Sequence, residues 1–219
     1  MSREPGCQDP PVPLGQAALP APHGQEPVAP APGRGRAAVV IPVKAFGRAK
    51  MRLSPVLGPG ERAALAKRMA EHVIAAAGAI PVVVVCDDDE VADWAKNLGA
   101  RALLEPGLGL NGAVSTAYGQ LGAEGWDRLV VAHGDLPLAT NLGWLADIDD
   151  IVLIPDRREE GTNVISLPTG CGFRFAYGAG SFARHCAEAH STGLPWRVVH
   201  DADLGWDVDF PADMAAVAL

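Results

Sequence analysis

The chain has 219 residues, with 18 Lys and Arg against 26 Asp and Glu, for a formal charge of -8. That balance argues against non-specific binding to nucleic acid or to an anionic membrane, both of which favour a basic face. No apolar stretch is long enough to span a bilayer. The four cysteines (Cys7, Cys86, Cys171 and Cys186) have no Cys-x-x-Cys spacing and no histidine partner pattern, so they read as buried free thiols.

In chain order, residues 1–36 hold nine of the nineteen prolines among Ala, Gly, Gln and isolated charges. Such a composition cannot bury enough apolar surface to offset chain entropy, and it reads as a disordered tail. It also lacks the apolar core of a signal peptide, so a cytoplasmic protein is expected. The tail's charges cancel, which leaves the acidic excess in residues 37–219, a length that fits one domain. Apolar, β-rich runs at 37–43, 82–86, 129–132, 151–154 and 196–199 predict strands. Helical spacing predicts helices over about 60–78, with Glu61 in the first turn, and over about 89–98, stopped at Leu98-Gly99. A further helix is expected after Asn111 and another over about 180–192. Continuous runs such as Val82–Val85 suit strands buried on both faces, hence a mainly parallel sheet covered by helices. In such sheets ligands bind beyond the carboxyl ends of the strands.

Four groups of residues fall where those ends are expected. After the first strand, Lys44, Arg48, Lys50 and Arg52 lie within nine positions, able to take a polyphosphate or simply to face water. The glycines form neither a Walker sequence nor a GxGxxG. Asp135, in "LVVAHGDLPL", follows an apolar strand, and Pro137 forces the chain out of it. Asp207 and Asp209, in "GWDVDF", are two apart, which puts both carboxylates on one face of an extended segment. Three carboxylates at that edge match the oxygen ligation of Mg²⁺; a turn or cap before Pro211 is the alternative for the last two. "GTN" (Gly161–Asn163) and "YGAGS" (Tyr177–Ser181) read as glycine-hinged loops with hydroxyls. The second runs into a helix whose amide end suits an anion, though Ser181 serves equally as a plain cap. Trp94 and Phe182 read as packing residues, and His133 as a structural histidine rather than a general base.

Taken together, "IPVKAFGRAKMRLSPVLGPGER", "GLN" (Gly109–Asn111), "GDLPL", "PDRREEGTN", "YGAGSFARH" and "DVDFPADM" resemble, in order, the landmarks of the CofC/FbiD family. These are the phospholactate or phosphoenolpyruvate guanylyltransferases of deazaflavin coenzyme F(420) biosynthesis. The resemblance spans residues 38–217 and departs in small ways, at His133-Gly134 before Asp135 and at Gly112. It implies a three-layer α/β/α, nucleotidyltransferase-like (GT-A or Rossmann-like) fold that joins the GMP of GTP to a three-carbon phosphoacid and releases pyrophosphate. It implies metal ligands at Asp135, Asp207 and Asp209, phosphoacid contacts at Thr162, Gly178 and Ser181, and a GTP-phosphate clamp at Lys44, Lys50 and Arg52. Asn111 falls in the segment expected to read the nucleoside. With Asp135, the clamp residues Lys50 and Arg52 are the expected catalytic groups, Mg²⁺ the expected cofactor, and a downstream transferase a possible partner. The competing readings are a related enzyme acting on a sugar phosphate or molybdopterin, and a catalytically silent nucleotide-binding module.

Overall fold

Seven short strands alternate with helices along residues 35–214, which are the residues described by the computed structural model. The expected tail lies outside the described residues except for Gly35 and Arg36, as does Cys7. Arg36 is tied down: its backbone N–H donates to Asp127 Oδ2 at 2.6 Å and its guanidinium lies 4.4 Å from the Trp126 ring centroid.

The expected strands are present as β1 (Ala37–Val43), β2 (Val82–Cys86), β4 (Arg128–Ala132), β5 (Ile151–Pro155) and β7 (Trp196–Val198). Two more are β3 (Arg101–Leu104) and β6 (Thr162–Pro168). The sheet order is β3-β2-β1-β4-β6-β5-β7. Every pairing is parallel except those of β6, which runs antiparallel to both β4 and β5. The sheet is therefore mainly parallel, as its apolar runs predict, with one reversed strand inside it.

Alternation within β1 shows how the layers form. Ala38 and Val40 pack on one face with Val114 and Ala117, while Val39 and Ile41 pack on the other with Val73 and Ala76. The first partners come from α3 (Gly109–Ala123) and the second from α1 (Pro59–Ala76). α4 (Ser181–Ser191) joins the α3 face through Ala189, and α2 (Asp89–Asn97) joins the α1 face through Val91, Trp94 and Ala95. Fully burying a valine is worth roughly 1.5–3 kcal/mol, so Val83 and Val85 on one face and Val84 on the other hold β2 between the two helical layers. Local signals set the ends. Asp88 Oδ1 accepts the backbone N–H groups of Glu90 and Val91, Glu61 accepts that of Gly58, and Gly99 takes φ 79° just beyond α2. Among the described residues no helix is long and apolar enough to cross a membrane.

Two expectations change. α3 begins at Gly109, so Asn111 lies inside its first turn rather than before it. Gly161–Asn163 is not a free loop, since Thr162 and Asn163 open β6 and are buried. The polar residues of β6 are satisfied by distant partners: Asn163 Nδ2 donates to Leu204 O at 3.0 Å and Ser166 Oγ to Leu145 O at 2.8 Å. Reversal of β6 has a direct consequence for the site. Its amino end, Thr162, stands at the edge where the parallel strands β1, β4 and β5 present their carboxyl ends.

Candidate active site

A cavity of about 730 Å³ opens at that edge. It is lined by Lys44, Lys50, Arg52, Asp135, Thr162, Gly178, Ser181, Asp207 and Asp209, so the structure brings together nine of the ten residues singled out from the sequence.

The β1 loop forms one wall. Phe46 packs edge-on against Trp94, with centroids 5.1 Å apart, and the buried Leu53 anchors the far end. Between them Lys50 adopts a left-handed backbone, φ 52° and ψ 40°, which turns its side chain inward. Its ammonium lies 2.5 Å from Asp135 Oδ2 and 3.3 Å from Asp209 Oδ1. Arg52 Nη1 reaches Asp209 Oδ2 at 2.7 Å while remaining largely exposed. Lys44 is exposed at the cavity mouth, and Arg48 is held by Asp87 at 2.8 Å.

The carboxylates come from two places. Asp135 follows β4, and the backbone N–H of Val208 reaches its carbonyl at 3.4 Å, linking the segment that carries Asp207 and Asp209 to it. Val208 is fully buried against Leu53, Leu65 and Met69, so its two neighbours both turn toward the cavity. A brace holds this segment from behind. Asp213, in α5 (Pro211–Met214), is fully buried and accepts the backbone N–H groups of Asp209 at 2.8 Å and Phe210 at 2.7 Å. Its other oxygen takes Arg157 and, at 2.8 Å, Arg158. Arg157 also donates to Asp207 O at 3.2 Å and lies over the Trp206 ring.

The electrostatics of this wall are uneven. Burial by itself would lower the pKa of the Lys50 ammonium, but Asp135 and Asp209 more than offset it and raise the value. Burial pushes Asp135 up, yet Lys50 holds it below the usual carboxylate value. Asp207 goes the other way: burial first, then the charges of Asp135 and Asp209, push it up to about 6. One oxygen of Asp207 and one of Asp135 are buried with no hydrogen-bond partner. Such orphaned oxygens are unfavourable unless something positive meets them. Among the described residues no three carboxylate, imidazole or thiol groups lie close enough together to hold an ion, and the Lys50 ammonium bridges Asp135 and Asp209.

The opposite side carries the hydroxyl residues, next to Asp156, Arg158 and Glu160 of the β5–β6 turn, which also line the cavity. Thr162 is fully buried, with Oγ1 3.0 Å from His185 Nδ1. Gly178, at φ 121°, and Gly180, at φ 68°, bend the chain into α4, conformations that side chains resist. Ser181 begins that helix and its N–H bonds Gly178 O at 3.0 Å. Asn111 does not line the cavity; its amide clamps the backbone of Tyr177, accepting from N–H at 2.7 Å and donating to C=O at 3.2 Å. Arg184 reaches Ala176 O and Ala179 O and secures the same loop. His133 also lines the cavity and packs on Tyr177 with centroids 5.1 Å apart; burial lowers its pKa, and its Nε2 is buried without a hydrogen-bond partner. Arg157, Arg158, Asp213 and His185 are absent from the sequence-based site. The adjacent arginines of "PDRREEGTN" were the available signal for the first two.

The family model described as "Guanylyl transferase CofC like" matches residues 37–219. This chain belongs to that family. As a CofC-like guanylyl transferase it is a nucleotidyltransferase, and its relatives agree. The chain is 38% identical over 192 residues to a phosphoenolpyruvate guanylyltransferase of Sphaerobacter thermophilus, covering 82% of this chain and 91% of the relative. It is 35% identical over 192 residues to a 2-phospho-L-lactate guanylyltransferase of Methanothermobacter thermautotrophicus, covering 82% and 83%. Among solved structures, a putative nucleotide-diphospho-sugar transferase of Desulfovibrio desulfuricans shares the fold of this CofC-like chain, with TM-score 0.63, 18% identity and coverage of 80% and 83%.

Proposed function

We propose that this enzyme transfers GMP from GTP to a three-carbon phosphoacid, phosphoenolpyruvate or 2-phospho-L-lactate, with release of pyrophosphate. The observation that carries the reading is that one cavity brings the Lys50, Arg52, Asp135 and Asp209 charges together with the hydroxyl residues Thr162 and Ser181. Lys44, Lys50 and Arg52 hold the phosphates of GTP, and Thr162, Gly178 and Ser181 hold the acceptor. Asn111 acts on the nucleotide side through the α3 turn next to Gly109 and Leu110, which do line the cavity. F(420) biosynthesis, a cytoplasmic location and a downstream transferase that consumes the activated product accompany this reading.

Asp135, Asp207 and Asp209 would hold Mg²⁺. The fit rests on the two buried oxygens without a hydrogen-bond partner, that of Asp207 having only Arg157 Nη1 at 3.9 Å, and on the raised pKa of Asp207. Mg²⁺ keeps several waters and takes only one or two carboxylates directly, so three acids spread along a wall suit it. Bound there, it would neutralise charge on the phosphoryl oxygens.

The chain's own residues then position the reactants. The acceptor phosphate oxygen attacks the α-phosphorus of GTP, and the bond from that phosphorus to the bridging oxygen of the β-phosphate breaks. The electron pair leaves on pyrophosphate. A phosphate is already ionised at neutral pH, so no general base is needed, and His133 has no part in the step. Lys50 and Arg52 stabilise the charge that spreads over the transferring group, making catalysis chiefly a matter of placement and electrostatics. The test is pyrophosphate release from GTP and Mg²⁺ across phosphoenolpyruvate, 2-phospholactate, 3-phosphoglycerate and a sugar phosphate. Release with a sugar phosphate alone, or with none of them, overturns the reading.

A further inference from the structure

A threonine hydroxyl both donates and accepts, and only donation serves a bound anion. The structure determines which way the hydroxyl of Thr162 is turned. His185, in α4, is fully buried and makes two ring hydrogen bonds. Its Nε2 lies 2.9 Å from the backbone nitrogen of Ala176, and Nδ1 lies 3.0 Å from Thr162 Oγ1. A backbone N–H can only donate, so Nε2 is the bare nitrogen of the ring. A neutral imidazole then carries its proton on Nδ1. That proton is directed at Thr162 Oγ1, which must accept it. The hydrogen of the hydroxyl is left to point elsewhere, and Thr162, though fully buried, is among the residues lining the cavity.

Surroundings of the ring keep it neutral. Burial, with the Arg184 charge and His133 acting in the same sense and Glu188 opposing, lowers His185 to about 4. The rings of Tyr177 and Phe173 close over it, with centroids 4.8 and 5.8 Å away. Ala176, the start of the relay, adjoins Tyr177 and Gly178, and that stretch is fixed by the Asn111 and Arg184 clamps. The backbone that shapes the acceptor loop thereby sets the direction of a hydroxyl on a different element.

We propose that His185 is a positioning residue that locks the Thr162 hydroxyl as a hydrogen-bond donor toward the anionic acceptor. This rests on the assignment of Thr162 to the acceptor side. The chain Ala176 N–H to Nε2, Nδ1–H to Oγ1, O–H to ligand runs in one direction only, so the pocket favours an oxyanion over a group that must itself donate.

Three measurements test it. The first is the ¹⁵N chemical shifts of His185 in the intact wild-type protein, which identify the tautomer without any turnover. A protonated Nδ1 with a bare Nε2 is expected; a protonated Nε2 or a tautomer mixture overturns the relay. The second is kinetic. His185→Gln places an amide near the Nε2 position and loses the Thr162 contact, whereas His185→Asn places one near Nδ1 and can still donate to Oγ1. His185→Gln should raise the acceptor KM roughly 10- to 100-fold, the range for a hydrogen bond to a charged group. Its kcat and the KM for GTP should stay within about twofold, and His185→Asn should recover most of the loss. Equal loss in both variants would show a merely structural role. The third is Thr162→Val, alone and with His185→Gln. The double variant should be no worse in acceptor KM than Thr162→Val. If Thr162→Val leaves the acceptor KM unchanged, the acceptor assignment fails and the proposal with it. If it raises that KM while His185→Gln does not, the assignment stands and the relay alone is refuted.

Discussion

On the wall formed by the β1 loop and residues 205–210, Lys50, Arg52, Asp135 and Asp209 meet as full charges, and Arg52 and Asp209 remain substantially in water. On the side formed by β6 and the start of α4, Thr162, Ser181 and His185 are buried and uncharged, and Thr162 and His185 are paired with each other. The first arrangement is a set of opposed charges that a polyphosphate and a cation can redistribute. The second is a fixed pattern of short side chains on a strand and a helix end, ready before any ligand arrives. Binding a large nucleotide calls for charge that can rearrange; discriminating among acids that differ by a hydroxyl or a double bond calls for rigidity.

The largest effect that would sharpen this contrast is expected at the carboxylates. Asp207→Asn or Asp209→Asn should lower kcat roughly 10³-fold, within the upper range for lost transition-state electrostatics, with the circular dichroism spectrum unchanged. Asp207→Asn should in addition leave the melting temperature of the metal-free protein equal or higher, because it removes a buried charge that its neighbours oppose. Normal turnover at saturating Mg²⁺ would break the assignment of this wall.

Next comes Lys50→Met, which should lower kcat roughly 10²-fold. It should also destabilise the protein by roughly 1–3 kcal/mol, since Asp135 is left partly buried without its partner. A chemical-denaturation midpoint equal to wild type would show that the ion pair contributes nothing to the fold. On the hydroxyl side, Ser181→Ala should raise the acceptor KM roughly tenfold and leave GTP affinity alone. Weakened GTP with an unchanged acceptor would exchange the two subsites.

The smallest effect concerns acid stability. His185 has an unfolded value of 6.5 and a folded one of about 4. The unfolded chain therefore takes up the proton first, and the stability tied to the neutral ring is complete above 6.5 and lost as pH falls toward 4. The melting-temperature gap between wild type and His185→Gln should be widest near pH 7 and narrow by a few degrees on approach to pH 4. A gap independent of pH would contradict the neutral, buried assignment.

How far each wall could be read from the sequence follows the same division. Lys50, Arg52, Asp135, Asp207 and Asp209 stand out because charges beside apolar strands are conspicuous, and period-2 spacing relates the last two directly. The parallel half of the sheet is legible for a similar reason, since Val82–Val85 has no other easy reading. β6 is not legible. Its Thr162, Asn163 and Ser166 look like loop residues until Leu204, Leu145 and His185 are seen to satisfy them from elsewhere in the chain. Nor does anything in "SFARHC" mark His185, because its partners lie on β6 and in the segment before α4. Asp213 is hidden likewise: its neighbours in sequence show a helix start, while its function in the fold depends on two arginines more than fifty positions away.

The reversed strand bears on how the chain reaches this state. β5 and β6 are joined by residues 156–161 and pair as a hairpin, whereas β1 and β4 pair only after two strands and three helices between them have been accommodated. Loop-closure entropy rises with the length enclosed, and non-local pairings slow folding. The hairpin is thus the cheap closure and the β1–β4 junction the costly one. Thr162 rides on the early element, while Lys50 and Asp135 meet only when the late one closes. Nucleation of the sheet is accordingly expected at the acceptor end, and the charges of the nucleotide end assemble last, when little of the chain is still free to misplace them.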